Sequence, residues 1–81
     1  MTAEEKKLLE QERQLDHDIR VRYLRIQRVE RRMAEELDPF GEEFDRAAEQ
    51  LQELKDEQRA KALERDKVRS QRVKLEYSRN Q

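Results

Sequence analysis

Only one place in this 81-residue chain can bend sharply. Its single Pro and single Gly stand two residues apart in Leu37-Asp38-Pro39-Phe40-Gly41, almost at the midpoint. Pro39 lacks a backbone N–H and drives Asp38 away from the α conformation, so a helix arriving from the N-terminal side stops near Glu36. Asp38 then reads as the N-cap of a second helix, with Pro39 at its first position, where a missing donor costs nothing. Glu42, Glu43 and Asp45 follow and suit the positive end of that helix's dipole. At the front, Thr2 precedes Glu5 by three residues, the spacing of a capping box. The expected organisation is one hairpin domain over 1–81: a helix over 3–36, a turn over 37–41, a helix over 40–77 and a frayed tail over 78–81.

Composition removes most alternatives. Charged residues make up 48% and hydrophobic residues 33% of the chain, and it has no Cys. A sandwich, barrel or doubly wound sheet needs turn residues and β-branched runs that this chain lacks. Without Cys there is no disulfide framework and no thiolate metal site. The longest apolar runs are pairs such as Leu8-Leu9, so neither a signal peptide nor a membrane span is expected, and the reading is a cytoplasmic chain. Abundant Glu, Lys, Arg, Gln and Leu is the composition of long helices and coiled coils.

The apolar period agrees. Spacings of four and three pick out Leu15, Ile19, Arg22, Ile26, Val29 and Met33, with Leu8 one heptad earlier. Past the turn the same spacing picks out Phe40, Phe44, Ala47, Leu51, Leu54, Gln58, Lys61, Arg65, Val68, Arg72 and Leu75. This is the narrow seam of a coiled coil. Folding at the turn sets Met33 near Ala47, Val29 near Leu51, Ile26 near Leu54 and Arg22 near Gln58, a polar layer that fixes register. After Leu54 the seam becomes largely polar. The hairpin is therefore expected to be tightest at its turn, where Phe40 and Phe44 plug the loop end or, on the alternative reading, stand exposed as an anchor at the tip, and loosest where the termini meet.

Charge supports the same pairing. Residues 1–18 carry six acids against three bases (−3), and residues 19–33 carry six Arg against Glu30 (+5). Residues 34–57 carry ten acids against two bases (−8), and residues 58–81 carry eight bases against three acids (+5). An antiparallel hairpin opposes unlike blocks, whereas a parallel in-register dimer stacks like on like. Each exposed pair contributes at most about 1 kcal/mol, so this pattern selects orientation more than it stabilises.

Two helices leave each seam half covered, which predicts a partner: a protein, or a second copy in a dimeric four-helix bundle. Candidate interface residues are Leu8, Leu15, Val21, Leu24, Val68, Leu75 and Tyr77. His17 is the only histidine and has no ligand-type residue three or four positions away, so it reads as a solvated side chain and not as a metal ligand. No Gly-rich phosphate loop, nucleophile elbow or Cys–His pair is present, and nothing builds a desolvated pocket around the paired carboxylates. The expected function is a non-enzymatic coiled-coil interaction module, such as an adaptor, assembly factor or small chaperone. It needs no cofactor, metal or small-molecule substrate. The competing reading is a nucleic-acid-binding hairpin dimer that contacts phosphates through Arg20, Arg25, Arg28, Arg31 and Arg32.

Overall fold

A computed structural model describes residues 1–80, as two helices, α1 (Ala3–Glu35) and α2 (Glu42–Arg79), packed against each other as a hairpin. The molecule is a rod of 60 × 14 × 14 Å. Its radius of gyration is 18.1 Å, against about 12 Å for a compact domain of this length, so the fold has a seam and no interior.

The start of α1 follows the expected capping box. The Thr2 side-chain oxygen accepts from the Glu5 N–H at 3.1 Å, and its hydroxyl donates to the Glu5 carboxylate at 3.4 Å. The helix stops at Glu35, with the Glu36 N–H still bonded to the Arg32 carbonyl at 2.9 Å.

The second start differs from expectation. Asp38 does not cap α2. Its side-chain carboxylate accepts from the Phe40 N–H at 3.1 Å, and its carbonyl accepts from the Gly41 N–H at 3.0 Å. Asp38 is thereby committed to a tight turn containing Pro39, as an Asx turn permits, and α2 begins at Glu42 with Gly41 as its N-cap. Gly41 brings no side-chain bond to the cap. At the other end α2 runs through Arg79, two residues beyond the expected limit. Ser78 and Arg79, part of the expected tail, have helical geometry, and Gln81 lies outside the described residues.

Among the described residues the buried apolar side chains are Leu15, Ile26 and Ala47. Leu8, Ile19, Val29, Met33, Phe44, Leu51, Leu54, Val68 and Leu75 are half-buried along the seam. Leu15, read both as a seam position and as a candidate interface residue, is buried in the seam within the hairpin itself. The aliphatic stems of neighbouring long side chains can cover an apolar position that a residue-type reading scores as exposed. Phe40 leaves the plug to Phe44 and follows the alternative reading. It is 97% accessible and plugs nothing, because its turn places it at the tip of the rod.

Gly41 sits at φ −90°, which any residue can adopt, and an added Cβ would lie 3.4 Å from the Asp38 carbonyl oxygen, an ordinary contact. Gly41→Ser should therefore supply the missing cap and stiffen the unfolded chain. The expected gain is about 0.5–1 kcal/mol, read as a higher urea midpoint.

Candidate functional site

The half of the rod that holds both termini is closed by charge. Extending the heptad backwards from Leu15 puts Glu12 and Glu5 on the α1 seam, seven residues apart. The α2 seam there carries Arg65, Arg72 and Arg79, also at sevens. The two sets meet. Arg69 Nε and Arg72 Nε each donate to one oxygen of the Glu12 carboxylate, both at 2.8 Å. Arg72 Nη1 also reaches Glu76 at 2.9 Å. Arg79 Nη1 lies 2.9 and 3.0 Å from the two Glu5 oxygens, and Glu5 is 1% exposed. Arg65 pairs with Asp16 at 3.2 Å. The folded-back register allows Glu12 to meet Arg65 or Arg69; it meets Arg69, together with Arg72, while Arg65 goes to Asp16. The terminal half is thus not simply the loose end.

Electrostatics follow from this geometry. The hydrogen bond from Arg72 lowers the pKa of Glu12 below its ordinary 4.5, with help from Arg69, against desolvation acting upward. Both arginines are pushed upward, first by their hydrogen bonds to Glu12. Glu12 is therefore held ionised, with both oxygens engaged by guanidinium groups.

Between this ionic seam and the apolar half lies a layer that differs from expectation. Arg22 does not pair with Gln58. Its Nε donates to Glu57 at 3.1 Å, while Gln58 Nε2 donates to the Ile19 carbonyl at 2.8 Å. Arg22 Nη1, Gln58 Oε1 and Arg65 Nε are buried with no hydrogen-bond partner. A polar layer satisfied only in part is less favourable than an apolar one.

The exposed surface carries the other candidates. Val21 and Leu24 lie outward on α1, as expected of an outer patch, and Tyr77 is exposed near the end of α2. Leu8, Val68 and Leu75 are half-buried in the seam and do not join them. Sequence reasoning missed Leu63 and Val73, which are also exposed. Leu63, Ser70 and Tyr77 recur at sevens on the back of α2, a second periodicity that the dominant seam obscured. Arg20, Arg25, Arg28, Arg31 and Arg32 are all exposed, and none makes an ion pair among the described residues. Arg25, Arg28 and Arg32, at spacings of three and four, share one side of α1, while Arg20 lies elsewhere around it. His17 is exposed beside a shallow groove with Asp18, Val21, Arg22 and Arg25. Among the described residues, no group of three or more His, Asp or Glu side chains could hold a metal ion. No helix there is long and apolar enough to cross a membrane.

No protein-family model, curated protein or solved structure matches the chain. The fold alone therefore sets its class, an all-α hairpin of two long helices.

Two expectations follow. Glu12→Gln should lower the urea midpoint at neutral pH. Because the folded-state pKa of Glu12 lies below its ordinary 4.5, the stability it contributes is present above that value and disappears as pH falls through the lowered pKa. The gap between variant and wild type should accordingly close in acid. Arg22→Leu combined with Gln58→Leu should stabilise the hairpin by about 1 kcal/mol or more in chemical denaturation, since it replaces buried atoms that have no partner with apolar contact.

Proposed function

We propose that the chain is a small non-enzymatic coiled-coil module, an adaptor, assembly factor or small chaperone of the cytoplasm, that works by binding a protein partner or a second copy of itself. One observation carries this reading: the seam is only half covered. A rod with three buried apolar side chains leaves Met33, Phe44, Leu51 and Leu54 partly open along its turn half. Further helices packed along that seam would complete it, as in a four-helix bundle. The carboxylates of the terminal half, bound by arginine, hold the two helices together and offer no free acid or base. Sedimentation velocity over a range of concentrations, together with affinity capture from the native cell, tests the proposal. The expected result is a species heavier than the 10.0 kDa chain, or a retained protein present in fixed ratio. A 10.0 kDa monomer at every concentration that retains no protein would overturn it.

The second reading, nucleic-acid binding, draws on the five exposed arginines without ion-pair partners. Against it stand the −1 net charge and the acidic residues that open α2 beside them. A gel shift with single- and double-stranded probes at about 50 mM salt separates the two readings, because phosphate contacts weaken steeply as salt rises. The module reading expects no shift. A salt-sensitive shift lost in the Arg25→Glu, Arg28→Glu, Arg32→Glu triple variant would replace it with the second.

A further inference from the structure

The most exposed large apolar side chain of the protein stands at its tip. Phe40 is 97% accessible, and the turn that carries it is braced: the Asp38 side chain holds the Phe40 N–H, the Asp38 carbonyl holds the Gly41 N–H, and Pro39 restricts φ between them. An aromatic ring on a braced turn loses little conformational freedom when it is captured, which is the property of an interface anchor. The segment that carries Phe40 is acidic, with Arg32 and Arg46 set behind it beside Glu43. Residues 34–45 contain six acids (Glu35, Glu36, Asp38, Glu42, Glu43 and Asp45) and no base. All six are exposed, and none is in an ion pair among the described residues. Behind the tip, Met33, Ala34, Phe44 and Leu51 line a shallow apolar groove.

We infer that the tip is a docking knob, with Phe40 entering an apolar socket on a protein partner whose rim carries Lys and Arg side chains. The inference rests on the interaction-module reading and names its surface and the chemistry of its partner. Charge complementarity selects that partner: the acidic ring around Phe40 attracts a basic rim and repels an acidic or a second, identical tip. On a second copy the nearest match is the shallow groove of His17, Asp18, Val21, Arg22 and Arg25, whose one apolar residue is Val21 and whose rim includes an acid, a poor socket for an aromatic ring on an acidic tip.

The chain has no Trp, so Phe40→Trp in the full chain gives a single indole reporter on the knob. The probe is a designed amphipathic helical peptide of leucine and lysine, an apolar stripe flanked by ammonium groups. Its leucine–glutamate counterpart is the control. The lysine peptide should shift the indole emission to shorter wavelength in a saturable way, and the glutamate peptide should not. Glu42→Lys, Glu43→Lys and Asp45→Lys together should weaken the effect about tenfold or more. If that variant loses helical signal, Glu35→Lys with Glu36→Lys, at the end of α1, makes the same test. No shift with the lysine peptide, an equal shift with both peptides, or a shift unaffected by the charge reversals would each overturn the inference. So would a shift that grows with protein concentration alone, which would identify a second copy as the occupant. Leu24→Trp separates the levels of failure. A response at position 24 without one at position 40 would overturn the knob and leave the module reading standing. No response at either position, in a chain that sediments as a monomer and retains no protein, would overturn both.

Discussion

The carboxylate of Glu12, gripped from two sides by Arg69 and Arg72, sets the alignment of the two helices far from the turn. A slip of half a heptad would place Glu12 against Val68 or Leu75, burying a charge against alkyl groups. Glu5 with Arg79 and Asp16 with Arg65 repeat the constraint one step to either side. Buried ion pairs are a weak source of net stability, because desolvation offsets most of the Coulombic gain, but they penalise every register that breaks them. The terminal half of the rod is therefore defined by specificity, and the turn half by apolar burial around Ile26 and Ala47.

The turn works alongside that alignment. With Asp38 bonded to both Phe40 and Gly41, the reversal is braced by hydrogen bonds that are local to the turn and involve neither helix. The same bonds decide what the turn displays. Pro39 and Phe40 are pushed out to the tip, and Phe44, one helical turn further on, remains at the seam. The two aromatic residues near the loop thus separate into one that closes the seam and one that faces solvent.

Much of the candidate surface could be read in the chain, and the exceptions share a cause. Val21, Leu24 and Tyr77 are exposed as their heptad positions imply, and Glu12 meets Arg69 as the folded-back register implies. Leu15 was assigned to an open end because its neighbours on the seam are polar, yet it is buried among them. Arg79 lies past the expected end of α2, and it finds Glu5 across 74 positions of sequence. Arg22 and Gln58 share a layer as expected, but each bonds to something else, since side-chain partners depend on reach and angle as well as level. In each case a long side chain selected a partner that periodicity does not specify.

The sequence by itself determined that this protein is two long helices folded back at one point. Heptad spacing, a lone Pro and Gly, and opposed charge blocks are local or one-dimensional properties that act wherever the chain goes. Only the tertiary structure decided which charges are buried and which apolar groups are left out. Burial of Glu5 and Glu12 requires guanidinium groups arriving from a helix more than fifty residues away. Exposure of Phe40 follows from the direction in which a hydrogen-bonded turn aims its side chain, a property of backbone geometry that no residue type encodes.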